Sequence, residues 1–317
     1  MNTQRFFTIW YGFMITAIIC CLLWGSAFPM IKLSYAELGI KKLDVFQQIL
    51  FAGYRFLLAS LFLLFFLYLK NRRLLFIKGS LLSLLQISLF QTILQYIFFY
   101  IGISFSSGIE GSILTGSGTF FSIFLAHYMY ANDRMSWNKL VGLILGFVGI
   151  SLASSTGDKL SLSIGVGGIA FLLASFSNSF GAILTKNKAK NLDTLYLTTF
   201  QMLIGSLVLL VIGGSGAGFF PFHFHWLSMG YLVYLAFLSA AGFSLWNTLL
   251  KYNKVGKVSM YFFLVPVFGV LQSALLLGEP LHAFVWISLA FVVLGIVIVN
   301  LEKQSKLTVN SHTPLSR

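Results

Sequence analysis

Charge is the first scarcity in this sequence. Only 9% of its 317 residues are charged, against 58% hydrophobic, and such a chain has too little polar surface to cover the outside of a soluble domain. Acid is scarcer still: eight Asp and Glu and five His residues leave few groups for general acid–base chemistry. Cys20 and Cys21 are adjacent, supply no disulfide framework and say little about redox compartment. No G-x-x-x-x-G-K-[ST] loop occurs, so an ATP-driven pump is unsupported, and H-E-x-x-H and G-x-S-x-G are missing too. His223 and His225 alternate with aromatic residues but lack a third ligand, so the segment reads as an interfacial belt rather than a metal site. These absences argue against an enzyme and call for no cofactor or metal.

What fills the chain is apolar runs. Residues 6–31, 79–109, 111–132, 160–185, 258–278 and 280–301 carry no Asp, Glu, Lys or Arg, and 194–250 carries none either and has room for two spans. With Phe46–Leu69, interrupted by Arg55, and Asn138–Thr156, and about 20 residues needed per crossing, the chain reads as an all-α polytopic membrane protein of ten transmembrane helices. Arg5, a long apolar run and Gly25-Ser26-Ala27 imitate a secretory signal, but the run is longer than a signal core and the chain continues through further spans.

The formal net charge of +13 does not point to nucleic acid, because the positive residues lie between spans instead of on one folded basic face. The side shared with the N-terminus gathers Arg5, the cluster from Lys70 to Lys78, Arg134, Lys139, Lys186–Lys190, Lys251–Lys257, Lys303, Lys306 and Arg317; the opposite side has Lys32, Lys41, Lys42 and Lys159. The positive-inside rule then places both termini in the cytoplasm of a cell-membrane protein.

An internal repeat organises the runs. Tyr54-Arg55-Phe56-Leu57-Leu58-Ala59-Ser60-Leu61 aligns with Phe200-Gln201-Met202-Leu203-Ile204-Gly205-Ser206-Leu207, and the same offset lays Asp133 over Glu279 and Gly149 over Gly295. An offset two residues longer brings Gly108 and Gly118 over Gly256 and Pro266. The expected units are 1–157 and 158–301, five spans each, followed by a polar cytoplasmic tail, 302–317. Since five is odd, the second copy enters the membrane from the opposite side, an architecture that in transporters places a site near the midplane between two halves.

Several residues stand out against this apolar background. Arg55 lies about 14 Å into its span, near the bilayer centre, where a charge must face protein or water and find partners; it is either a structural arginine on backbone carbonyls or a solute contact. Gln91 and Gln95, four residues apart, share a helical face beside a Tyr96–Tyr100 stripe, which serves packing or forms a pocket wall. Asn178 either bonds between helices or lines a cavity, and Trp246 and Asn247 are wall residues or interfacial anchors. Pro29 bends the first span. Gly118 and Pro266 weaken corresponding helices of the two copies, as a hinge or a packing kink. Glu110 is the one carboxylate placed inside a span, and with His127 it is the candidate for coupling to protons.

Ten spans in two inverted fives, Trp24-Gly25-Ser26-Ala27-Phe28, Tyr54-Arg55-Phe56-Leu57-Leu58-Ala59 and Leu277-Gly278-Glu279-Pro280-Leu281 together resemble the EamA-like branch of the drug/metabolite transporter superfamily, over nearly all of residues 10–300. The resemblance implies a secondary carrier or facilitator, often an exporter of amino acids or related metabolites. It also implies a cavity to which this chain contributes Trp24, Gln91, Gln95, Tyr96, Glu110, Asn178, Trp246, Asn247 and Tyr261. Two positions depart from the family pattern: Gly118 stands where a proline is usual, and Asn132-Asp133-Arg134 replaces Gly-Glu-Arg. The partners expected are a small-molecule solute, the lipid bilayer and protons as candidate coupling ion. Alternatives are a non-transporting receptor or assembly component, a lipid-intermediate flippase and a nucleotide-sugar exchanger. The solute, the driving ion, the direction and the oligomeric state are not written in the sequence.

Overall fold

The computed structural model describes residues 3–71, 76–105, 108–153, 165–278 and 284–310, and among them there is helix and no strand. In chain order the helices are α1 (Thr3–Thr8), α2 (Trp10–Leu38), α3 (Val45–Leu69), α4 (Leu81–Ser88), α5 (Gln95–Phe105), α6 (Gly108–Met129), α7 (Trp137–Ala153), α8 (Val166–Lys188), α9 (Thr194–Ala217), α10 (Trp226–Tyr252), α11 (Val255–Met260), α12 (Leu264–Leu277) and α13 (Phe284–Asn310). A π-helical segment, Leu89–Leu94, joins α4 to α5, and a 3₁₀ turn, Tyr261–Phe263, joins α11 to α12. Seven helical segments among the described residues are long and apolar enough to cross a membrane: α2, α3, Leu81–Phe105, α8, α9, α10 and Val255–Leu277. Trp137–Leu152 and Val285–Asn300 add shorter apolar stretches.

Local chemistry sets several boundaries. Asp193 caps α9, its carboxylate accepting from the amides of Leu195 at 2.9 Å and Tyr196 at 3.1 Å, which satisfies two of the donors a helix start leaves free. α2 runs unbroken through Pro29 to Leu38, seven residues past the end of the charge-free run at Ile31. It stops where Gly39 adopts φ +68°, a left-handed conformation that glycine takes without steric penalty. The second proline acts differently. Pro266 has no amide hydrogen and its ring crowds the carbonyl four residues back, and the 3₁₀ turn occupies that region, so the segment from Val255 to Leu277 is broken one turn before Pro266.

Helices related by the repeat pack on each other and run antiparallel. On α3 and α9, a Cβ added at Gly53 would meet the amide of Leu210, one at Gly213 the backbone of Leu50, and one at Gly216 the ring of Phe46. On α7 and α13, Gly142 faces Gly295 and Val299, while Gly149 faces Val292 and Ser288. In both pairs one number rises as the other falls. The remaining contacts exchange with the halves: α2 packs on α10 and α12, as α8 packs on α5 and α6. Small residues make this close approach available where no hydrophobic drive separates helix from lipid.

Candidate functional site

The described cavities lie between the two halves. The larger, about 780 Å³ between its walls and partly open, is bounded by α2 from Trp24 to Ile31, Arg55 of α3, Gln95, Tyr96 and Phe99 of α5, Thr115 and Gly118 of α6, Phe171, Ala174, Ser175 and Asn178 of α8, Phe243 of α10, and Phe262 and Val265. A smaller space of about 320 Å³ adjoins it, lined by Thr119, Ser122, Ser179, Trp246, Leu250 and Ser259 among others, and shares Gly118, Asn178 and Phe262 with the first. Position along α6, α8 and α10 puts the second chamber nearer the end of the bundle that carries α1.

The walls of the larger chamber are aromatic. The Trp24 ring meets Phe243, Trp246 and Phe262 edge to face at centroid distances of 5.5, 5.3 and 5.7 Å, a geometry aromatic quadrupoles favour. Gly242 makes room for it, since a Cβ there would lie 2.9 Å from the indole nitrogen. Gly118 has a different use: its nearest would-be neighbour is at 3.8 Å, so it widens the junction of the chambers rather than letting backbones touch. Its carbonyl accepts from the Ser179 hydroxyl at 2.8 Å, and α6 passes through it unbroken. At the two corresponding positions of the repeat, the helix is interrupted one turn before Pro266 and continuous through Gly118. Pro29 is buried within α2.

Arg55 is 2% exposed. Its Nε donates to the Ser239 hydroxyl at 2.7 Å and to the Leu235 carbonyl at 3.2 Å, and its guanidinium carbon lies 5.2 Å from the Phe56 ring centre. Both partners are on α10, so the charge ties α3 to the other half, and Arg55 is also a wall residue of the larger chamber. Among the described residues no carboxylate pairs with it.

Gln91 and Gln95, expected on one face, are separated. The wider π segment contains Gln91 and ends just before Gln95, and it rotates them apart, a feature frequent at functional sites. Gln95 enters the wall of the larger chamber, whereas Gln91 joins a buried polar network. Gln91 Nε2 donates to Asn247 Oδ1 at 3.2 Å, its Oε1 accepts from Thr185 at 3.1 Å, Asn247 Nδ2 donates to Thr198 at 3.0 Å, and Thr92 donates to Gln201 at 2.6 Å. Gly181 and Gly205 seat the π segment, since a Cβ at either would fall 2.7 Å from Gln91 Cβ or 2.5 Å from Thr92 Cγ2.

The structure thus gathers Trp24, Arg55, Gln95, Tyr96, Gly118, Asn178 and Trp246 around the two chambers, and leaves Gln91, Asn247 and Tyr261 outside their walls. Tyr261 packs its ring on Phe13 at 5.2 Å and accepts from the Cys21 thiol at its carbonyl, 3.2 Å away. The side chain of Glu110 lies outside the described residues, as does Glu279. Sequence reasoning missed Phe99, Phe171, Phe243 and Phe262, whose only signal is aromatic content that every span shares. Asn247→Leu is expected to leave Gln91 with a buried unpaired amide and to cost about 1–3 kcal/mol. Thermal denaturation in detergent should show the loss, with solute affinity changed by less than about threefold because Asn247 is not in the wall.

At the end that carries α1, the loop between α6 and α7 is fastened to the second half. Asp133 and Lys139 form an ion pair at 2.6 Å with side chains 2% and 7% exposed, and the other Asp133 oxygen accepts from the Gly256 amide at 2.9 Å, at the start of α11. Tyr130 donates to Asn187 Oδ1 at 2.7 Å; burial, and then the Asp133 carboxylate, push its phenol up to about 12, so it remains a donor at any ordinary pH. Asn253 donates to the Phe7 carbonyl at 2.9 Å, and Lys186 Nζ donates to the carbonyls of Leu250 and Asn253.

Fold and cavity define a multi-pass membrane protein of the transporter class. The model of the EamA-like transporter family matches residues 12–155 and again 165–301, and the chain belongs to that family. It is 26% identical over 294 residues to the uncharacterized transporter YvbV of Bacillus subtilis, covering 90% of each chain. Over 296 residues it is 26% identical to a Salmonella typhimurium protein described as a probable amino-acid metabolite efflux pump, covering 89% of this chain and 92% of that one. The uncharacterized inner membrane transporter YedA of Escherichia coli is 24% identical over 292 residues, covering 89% of this chain and 88% of that one. One solved structure shares the fold with a TM-score of 0.74 at 13% identity, over 90% of this chain and 97% of the other.

Proposed function

We propose that the chain is a secondary transporter or facilitator of the cell membrane that moves a small organic metabolite, an amino acid or a related compound, outward by alternating access. In this reading ten spans form two inverted repeats, residues 1–157 and 158–301, with both termini and the polar tail 302–317 in the cytoplasm. The antiparallel packing of α3 on α9 and of α7 on α13 supports the inversion, and the Salmonella relative supports the solute class. Proton coupling, if the carrier uses it, falls to Glu110. The helices carrying Trp24, Gln95, Tyr96, Asn178 and Trp246 form the solute path, Arg55 is its buried charge, and Pro266 marks the point where the path's wall bends.

One observation carries the reading: two chambers lie end to end between the halves and meet at Asn178. Asn178 makes no hydrogen bond within the described protein and borders both spaces, as a group that handles a passing solute must. The test is counterflow of labelled solute in vesicles reconstituted with the purified protein. Asn178→Phe should fill the waist and lower counterflow by at least about tenfold, the equivalent of 1.4 kcal/mol, while the thermal midpoint stays near that of the parent. A protein that binds solute but passes none would be a receptor, and counterflow undiminished by the phenylalanine would place the path elsewhere.

A further inference from the structure

We propose that the solute is recognised at its charged end by Arg55, that this end is a carboxylate, and that no amine is needed beside it. The proposal rests on the transport cavity above and narrows its ligand to amphipathic monocarboxylates with an aromatic or branched apolar body.

Among the described residues Arg55 is a charge without a counter-charge. Arg55 is 2% exposed, yet the partners of its Nε are a carbonyl and a hydroxyl, which orient the group without neutralising it. A buried cation with no anion is costly unless something supplies the counter-charge. Such a guanidinium presents further N–H donors in a planar fork that fits a carboxylate with two parallel bonds. The surroundings leave polar positions open. Thr115 Oγ1, on a chamber-lining residue, is buried with no hydrogen-bond partner and can donate to such a carboxylate, while Gln95 Oε1, also on the wall and unpartnered, is an acceptor left for a donor elsewhere on the solute. Unsatisfied buried groups in native folds ask for an unseen partner.

The rest of the wall sets the body of the ligand. Trp24, Phe28, Phe99, Phe171, Phe243 and Phe262 are apolar surfaces that reward an aromatic or branched chain. None of the described wall residues is acidic, so an ammonium group would find no carboxylate and only the weaker attraction of a ring face, while Arg55 would repel a cation. The charge pattern therefore reads one end of the solute and rejects the opposite sign, the like-charge exclusion by which sites gain specificity.

The experiment uses purified full-length protein in detergent, with intrinsic tryptophan fluorescence reporting through Trp24. The probes are 3-phenylpropionate, its neutral isostere 3-phenylpropionamide, the cation 2-phenylethylamine, and phenylalanine. The carboxylate should bind at least about thirtyfold more tightly than the amide, phenylalanine within about threefold of phenylpropionate, and the amine not measurably. Arg55→Lys should retain part of the preference, and Arg55→Gln should bring acid and amide within about threefold of each other. The wild-type comparison decides the matter even if Arg55→Gln is not recovered. Equal binding of acid and amide, binding of the amine, dependence on the α-amino group, or no saturable binding of any probe would overturn the proposal. Selective binding of the acid without counterflow in vesicles would leave the anion site standing and remove the transport reading instead.

Discussion

Gly213→Val is expected to abolish recovery of folded protein. A Cβ at Gly213 would lie 2.4 Å from the Leu50 amide nitrogen and 2.6 Å from its Cα, which are backbone atoms that no rotamer change can move. Where side chains can yield, overpacking costs about 1–3 kcal/mol. Here α3 and α9 would have to part along their length, and the expected cost exceeds about 3 kcal/mol because helix association in lipid rests on this close packing. The register supports the same conclusion at two further points, Gly53 against Leu210 and Gly216 against Phe46, so separation at one place disturbs the whole contact. Size-exclusion profiles and thermal midpoints in detergent provide the readout. Gly230→Ala is the matched control, since nothing lies within 4 Å of a Cβ there; it should be neutral or stabilising by up to about 1 kcal/mol. A monodisperse, equally stable Gly213→Val protein would show that the repeat-related helices are not in this contact.

That interface explains why the repeat is visible in the sequence at all. Apolar runs long enough to span lipid, and small residues recurring at matched positions, are one-dimensional signals, and they gave the helical class, the paired halves and the place of the cavity between them. Geometry that depends on a partner was not visible in this way. Gln91 and Gln95 look like one face when counted on a regular helix, but Gly181 and Gly205 on two other helices seat a π segment between them, and one amide goes to the polar network and the other to the wall. Gly118 aligns with Pro266, and the alignment left a hinge or a packing kink open at both; glycine permits a bend while proline enforces one, and the helix is interrupted only beside the proline. Asn247 looked like a wall residue because polarity in a span signals burial with a partner and says nothing of which partner. Arg55 was recognisable by depth alone, whereas its anchorage to Leu235 and Ser239, about one turn apart on a helix in the other half, depends on tertiary structure.

The second large effect is expected at Asp133. Its carboxylate bonds Lys139 at 2.6 Å and the Gly256 amide at 2.9 Å, so one buried group holds the loop of the first half against the start of α11 in the second. Sequence alignment matched Asp133 to Glu279 without indicating this bond. Removing one member of a buried ion pair costs about 3 to 5 kcal/mol, chiefly because the other is left charged without its partner; Lys139 would keep the carbonyls of Asp133 and Arg134. If access alternates between the two ends, a bond that joins the halves at the α1 end favours closure there, and weakening it shifts the population toward the state open at that end by the differential energy lost. Ser259, which lines the chamber on that side, reports the shift as Ser259→Cys; Cys20 and Cys21 are buried and give a low background. In vesicles exposing the α1 end, Asp133→Ala should raise the rate of labelling by an impermeant maleimide at least about tenfold, equivalent to 1.4 kcal/mol. Asp133→Asn should do so less, because an amide oxygen can still accept from Gly256 while the charge facing Lys139 is gone. An unchanged labelling rate in the asparagine variant, with folded protein recovered, would show that this buried pair fastens the loop without governing which end of the cavity is open.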